Sequence, residues 1–433
     1  MSFSPLSHGL WAVTAPPAPD LSTLQEGLTV DVAVVGAGFT GLSAALSLAR
    51  EGASVAVLEA EEIGFGGSGR NVGLVNAGLW MRPDDICKAL GPKHGERLLE
   101  RLGNGPHEVF RLIESFGIAC EANPAGTLHC AADEAGLADL RRREIEWQRR
   151  RAPVELLDRQ ETARLVGSPA YAGALLDRRA GTLQPLAYVR GLARAALAHG
   201  ARIFVRSPVQ TMQRTSGLWD LRTAKGRVRA ERLVLASNLY SAAATAPIAS
   251  EMVCLPYFNF STPPLDDELR RTILPEAHGA WDTKTVLTSI RLDAEGRLVI
   301  GSVGALRAGG LGLHKAWAQR TMHRLFPVLR GIGFEHGWYG WIGMTDDSIP
   351  RLHAPGDGSV TICGYNGRGI SPGTVFGQIL ADYVAGRTGE ADLPLPVTPV
   401  HLPLARGARS LVVEAGAQAA HFVGARALPL SGQ

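Results

Sequence analysis

Apolar positions along the chain fall into two periodicities. Short runs rich in β-branched residues at 32–35, 55–58, 201–205 and 360–363 have the character of strands buried on both faces. Each neighbours a glycine-bounded helical segment, so the four together predict a doubly wound α/β sheet. Residues 219–223, 226–229 and 232–236, then 254–260, 285–291 and 297–301, read as antiparallel strands. Helical spacing covers 84–118, about 133–150, 186–199, 314–330 and 373–385, and an Ala-rich stretch at 408–427 predicts a terminal helix. Pro16, Pro17 and Pro19 break regular structure in the first 27 residues, which read as an arm pinned by Trp11.

The pattern predicts α/β plus α+β architecture: a Rossmann-like nucleotide-binding domain and an antiparallel-sheet substrate domain. The first is discontinuous, at 28–83, 151–247 and 340–392. The second is assembled from 84–150 and 248–339, and 393–433 is a tail.

The first strand runs directly into Gly36, Gly38 and Gly41, spaced G-x-G-x-x-G with Phe39 and Thr40 between the last two. Gly36 allows a tight turn, Gly38 a close backbone approach to a pyrophosphate, and Gly41 close packing of helix on strand. The helix N-terminus then faces the phosphates. The second strand ends in Glu59, 18 residues past Gly41, where the fingerprint places a ribose acceptor. A second glycine loop, with Ser68, Gly69, Arg70 and Asn71, follows that strand and offers donors beside the ligand. A third, at 364–369, precedes a helix and contains Gly367, Arg368 and Gly369.

Composition narrows the function classes. A net charge of +3 gives no reason to expect a nucleic-acid partner. Arginines at 141–143 and 149–151 read as a solvated helix face. Five cysteines, an odd number with no CxxC pair, fit free thiols in a reducing compartment. No signal-like N-terminus or integral membrane span is legible, so the expected location is cytoplasmic, with membrane association through the tail as a lesser option. No His/Cys spacing suggests a metal.

The fingerprint, the 64–78 stretch, residues 183–185 and the 364–369 loop resemble the FAD-dependent amine and amino-acid oxidoreductases of the D-amino-acid oxidase superfamily. The resemblance is strongest to the gamma-glutamylputrescine oxidase and L-pipecolate oxidase branch, and it covers about residues 28–390. It implies that Gly36, Gly38 and Gly41 hold the pyrophosphate and Glu59 the adenosine ribose. Ser68, Gly69, Arg70 and Asn71 would lie along the cofactor. Val209 would contact the adenine, and Ser237 and Asn238 would end a strand beside the pyrophosphate. Gly367, Arg368 and Gly369 would approach the flavin pyrimidine edge. Some relatives attach FAD through a cysteine; the corresponding position here is Gly340, so non-covalent FAD is expected.

In the substrate domain, Arg291 is the expected partner of a substrate carboxylate, and Tyr257, Trp338, Tyr339 and Trp341 the expected pocket walls. His336 reads as a structural or exposed histidine. The expected reaction is oxidation of an amine or imino acid, L-pipecolate or a related cyclic or secondary amine foremost. Oxygen or a quinone would reoxidise the flavin. A 2-hydroxy-acid dehydrogenase and a non-catalytic flavin-binding partner protein are the alternatives; oligomeric state is not legible.

Overall fold

A computed structural model describes residues 7–241, 246–307, 309–401 and 406–423. The chain forms two eight-stranded sheets joined along one seam. In the first, Ser359–Cys363, Arg227–Leu235, Gly27–Val35, Val55–Leu58 and Arg202–Phe204 lie side by side and parallel. Arg351–His353 adds an antiparallel edge. Val32, Ala33, Val34 and Val35 are all buried, as suits a strand with neighbours on both sides and helices above it. Helix Phe39–Arg50 covers it and packs between Pro185–Ala198 and Ile370–Val384. A Cβ at Gly377 would overlap the Thr40 carbonyl, so glycine sets the closeness of two of these helices.

The expected breaks at 226–229 and 232–236 are one strand, Arg227–Leu235. It pairs with Gly27–Val35 along its length and with the Leu218–Arg222 hairpin in its first half. The hairpin's partner, Thr211–Thr215, was not legible because its polar residues are largely exposed.

The second sheet runs in the order His336–Met344, Val253–Pro264, Arg297–Val303, Thr288–Leu292, Gly279–Asp282, Thr127–Ala131, Gly173–Asp177, Val154–Leu157. All its pairings are antiparallel except that between Gly279–Asp282 and Thr127–Ala131. Two expected domain boundaries are corrected by this order. Val154–Leu157 and Gly173–Asp177, assigned from sequence to the nucleotide domain, complete the second sheet, because Leu157, Ala174 and Leu176 share a core with Leu128, Phe258 and Phe260. His336–Met344 pairs with Val253–Pro264 over its whole length, so the return to the first domain comes after residue 344, not at 340.

The N-terminal arm includes a helical turn, Leu10–Thr14, whose Trp11 is fully buried against Trp338 at 5.3 Å between ring centroids. Glu251, His353 and Cys363, far apart in sequence, meet in the interior. His353 Nε2 lies 2.6 Å from Glu251, and its Nδ1 donates to the Thr398 carbonyl, an arrangement that a buried imidazolium–carboxylate pair accounts for. Among the described residues no helix is long and apolar enough to cross a membrane.

Residues 406–423 form a terminal helix, as the sequence suggests; positions 424–427 of the expected helix lie outside the described residues. It packs on the Val253–Pro264 strand and inserts His421, which stacks on Trp317 at 4.1 Å and lies 2.8 Å from His314. Burial holds both histidines down, His314 at about 4 and His421 at about 3, the latter also through His314 and Arg320. Both pKa values are lowered from 6.5, so the packing of neutral rings is fully present above that pH and is lost as pH falls through the folded values. Limited proteolysis from pH 7 down to pH 4 should therefore release the terminal helix before the body unfolds. His421→Phe should flatten that dependence, and an acid-insensitive wild-type helix would contradict the prediction.

Candidate active site

A single cavity of about 870 Å³ runs along the seam between the two sheets, within the range of sites that enclose a large ligand. One end is lined by Gly36, Gly38, Phe39, Thr40, Glu59 and Val209, with Ser237 and Asn238 beside them. Gly36 has φ +105°, which a side chain would strain. Gly41 does not line the cavity. A Cβ there would overlap the Gly36 carbonyl, so its role is the helix–strand approach expected from the spacing.

Glu59 is fixed before any ligand arrives: its two oxygens accept the N–H groups of Ala37 (2.7 Å) and Glu61 (3.0 Å). Burial raises its pKa, and those backbone donors oppose the rise. Ser68 Oγ accepts the Phe39 N–H at 3.0 Å, which ties the second glycine loop to the helix start. Thr40 hydrogen-bonds Tyr365 at 2.7 Å, and Asn238 Oδ1 accepts the Gly364 N–H, so the first and third glycine loops are coupled. The fit to FAD is favourable: a strained glycine turn at a helix N-terminus, a preset acid at the ribose position, and one cavity long enough to continue past residues 66–72 to the third loop.

The second loop passes through the interior, and its side chains mostly hold the loop itself. Asn71 Nδ2 donates to the carbonyls of Gly67 and Ser68, and its Oδ1 accepts the Gly73 N–H. Gly69 faces away from the cavity, where a Cβ would meet Gly64 and His8. The Arg70 guanidinium lies 4.4 Å over the Phe65 ring. Gly340 lines the cavity, and none of the five cysteines does.

Two expected substrate residues are corrected. Trp338 is fully buried behind the cavity wall, and its Nε1 donates to the Arg70 carbonyl at 3.0 Å. Arg291 is also buried off the cavity, and its guanidinium donates to the carbonyls of Leu183, Gly73 and Leu292. Burial lowers its pKa to about 10, with Glu121 and Asp293 opposing the fall. Position along the strand explains both outcomes: Arg291 shares its sheet face with cavity-lining Ser289 and Trp338 with cavity-lining Gly340, but each sits two residues away, where that face packs against the second glycine loop. Tyr339 is likewise outside the lining, whereas Tyr257 and Trp341 do line it. His336 is half-buried at the far end of its strand, away from the cavity.

Tyr257 hydroxyl lies 2.6 Å from Ser289, and burial raises its pKa while that hydrogen bond opposes the rise. Around it the structure gathers residues that the sequence did not single out as site residues. Trp281 stacks on His129 at 3.4 Å and meets Trp80 edge-on at 4.8 Å. Arg368 reaches this cluster from the third loop, its guanidinium 4.8 Å from Trp281 and 5.2 Å from Trp80. Arg143, expected on a solvated face, is turned inward and donates to the carbonyls of Trp80 and Met81. Asp282 and Lys284 complete this end. Burial, then Arg143 and Arg368, hold His129 well below 6.5, so its ring is neutral. An inward arginine in a run of arginines carries no marker in the sequence, and His129 and Trp281 lie on strands that the periodicity did not reveal.

The model of a family described as FAD dependent oxidoreductase matches residues 31–383. Gamma-glutamylputrescine oxidoreductase of Escherichia coli is 32% identical over 380 residues, 87% of this chain and 88% of that one. A probable oxidoreductase, OrdL, of Haemophilus influenzae is 30% identical over 374 residues, 85% of each chain. Among solved structures, glycine oxidase from Geobacillus kaustophilus superposes with a TM-score of 0.71 at 22% identity, covering 87% of this chain and 99% of that one. It shares the arrangement of a mixed, mainly parallel sheet beside a mostly antiparallel one.

Two substitutions separate the roles assigned here. Gly41→Val should leave the purified protein without its flavin absorption, because the helix cannot close on the strand; a full flavin complement would contradict this. Trp338→Phe removes one buried hydrogen bond and should lower stability by about 1–3 kcal/mol in denaturant titrations while flavin content holds. Unchanged stability would restore Trp338 as a candidate pocket wall.

Proposed function

Because the chain belongs to the FAD dependent oxidoreductase family and oxidises CH–NH or CH–NH2 groups with FAD, we propose that its substrate is a small cyclic or secondary amine or imino acid, with L-pipecolate a leading candidate. The observation that supports this reading is the far end of the cavity: Tyr257, Trp80 and Trp281 wall a compact aromatic space with neutral His129 among them. Flat aromatic walls suit a small ring. The relatives, a gamma-glutamylputrescine oxidoreductase and a glycine oxidase, point to the same bond type.

Bound FAD supplies the hydride acceptor for the carbon next to nitrogen. The chain's own residues bind and orient. Gly36 and Gly38 would admit the pyrophosphate, and Glu59 would meet the ribose. Ser237 and Asn238, which line the cavity, would lie beside the pyrophosphate. Substrate nitrogen must be uncharged to release hydride. The apolar walls and the positive charge of Arg143 and Arg368 favour that form by disfavouring an ammonium. His129, neutral and with its Nδ1 lacking a hydrogen-bond partner, offers a polar contact without adding charge. No side chain has to act as a general base. Oxygen or a quinone would be the final electron acceptor.

An anaerobic panel tests the substrate class: bleaching of the flavin band by cyclic imino acids or secondary amines is expected. Bleaching by 2-hydroxy acids alone, or by nothing in the panel, overturns the reading. Mild acid denaturation should release the flavin from the polypeptide, and flavin retained on the precipitate would mean a covalent link. His129 is held neutral well below 6.5, so the pH profile of flavin reduction should show no acid limb near that value from this residue. His129→Gln should keep the profile's shape, and loss of a limb in the variant would contradict it.

A further inference from the structure

Arg368 is the least satisfied buried cation in the cavity wall. It is 7% exposed, and its Nε is buried with no hydrogen-bond partner. One long contact, Nη1 to the Ala77 carbonyl at 3.4 Å, is the only hydrogen bond of its guanidinium among the described residues, and no carboxylate pairs with it there. Arg291, also buried, has three carbonyls around its guanidinium, and Arg143 has two and an aspartate, Asp139, at 4.0 Å. Arg143 adds to the positive potential at Arg368 and also lines the cavity. Burial, and Arg143 after it, press the Arg368 pKa down to about 9, so the group is still charged at neutral pH. A buried guanidinium with so few acceptors is costly unless an anion meets it.

Placement selects the anion. The Arg368 backbone belongs to the cofactor domain, but its side chain crosses the seam to Trp80 and to Trp281 of the second sheet. The two indoles meet each other edge-on and both lie against the cation, which lines the cavity. That is the substrate end, beside Tyr257 and His129, and not the end that Gly36 and Gly38 open to phosphates. A planar guanidinium beside aromatic rings fits a planar carboxylate attached to a small ring.

We propose that Arg368, backed by Arg143 and set against Trp80 and Trp281, binds the carboxylate of the substrate, so that the enzyme selects imino or amino acids over amines lacking an acid group. This rests on the amine-oxidising reading above and replaces Arg291 in the role first expected of it. Arg143 acts as a positioning residue, since it holds the Trp80 backbone and adds charge behind Arg368. The carboxylate enters pointing at the domain seam.

The test uses holoenzyme and two inert probes, 2-furoate and its uncharged amide 2-furamide, with binding read from perturbation of the flavin spectrum. Wild type should bind the acid at least about 10-fold more tightly than the amide. Arg368→Met should weaken the acid by about 100-fold, the scale of removing one partner of a buried charge pair, and leave the amide unchanged. Arg368→Lys should recover part of the loss. Arg143→Met should weaken the acid less. Flavin content and flavin reduction potential are measured on every variant. Equal binding of acid and amide by wild type, or unaltered acid binding by Arg368→Met, overturns the proposal. So does a shifted flavin potential with acid binding intact, which assigns Arg368 to the flavin edge. Because the probes are not oxidised, acid-selective binding stands even when no amine bleaches the flavin; that outcome fails the amine reading and leaves the carboxylate subsite.

Discussion

The backbone of residues 64–73 runs through the interior, and its carbonyl oxygens must find donors there. Each one left without a partner would cost about 1–3 kcal/mol. Five parts of the chain meet that demand. His8 contacts the Gly64 carbonyl, and Trp11 donates to Asn71 at 2.9 Å. Asn259 and Trp338 both donate to Arg70, and Arg291 reaches Gly73. Leu183 N–H adds a second bond to Gly73. The cofactor cavity exists because this loop is held open along its wall, so the donors shape the site without touching a ligand.

That constraint explains where sequence reasoning succeeds and where it does not. Glycine spacing, the acid at Glu59 and the buried strands are local, and each is visible within thirty residues; the first domain and its cofactor were legible for that reason. Trp338 and Arg291 were legible as important but not in role. A large polar side chain on a substrate-domain strand looks the same whether it faces a ligand or a buried carbonyl. Domain boundaries failed for a related reason. Residues 154–157 are a short strand that pairs with 173–177, which in turn pairs with 127–131, and no local periodicity announces such a succession.

The substrate end is the least legible part because it is assembled from single residues on separate elements. Trp80 follows the second loop, His129 and Trp281 sit on neighbouring strands, Arg143 comes from a helix and Arg368 from the third loop. Each is ordinary in its own segment. Their chemistry is collective: two arginines and a neutral imidazole meet in an aromatic enclosure, with Asp282 and Lys284 beside them. On the proposed reading, the arginines favour an uncharged amine and a charged acid at once.

The cradle of the second loop also imposes an order on biosynthesis. Its donors come from His8, Trp11, Asn259, Arg291 and Trp338, so they span nearly the whole chain. While the polypeptide is being made, the glycine fingerprint and Glu59 emerge early, yet the loop beside them lacks its last hydrogen-bond donor until residue 338 has left the ribosome. The dinucleotide fold can begin to form from its own local residues, but the second loop is fully held only once distant strands have joined it. Long-range closure of this kind is slow compared with local folding. The set of donors to the loop is therefore complete only when residues 8 to 338 are in place together.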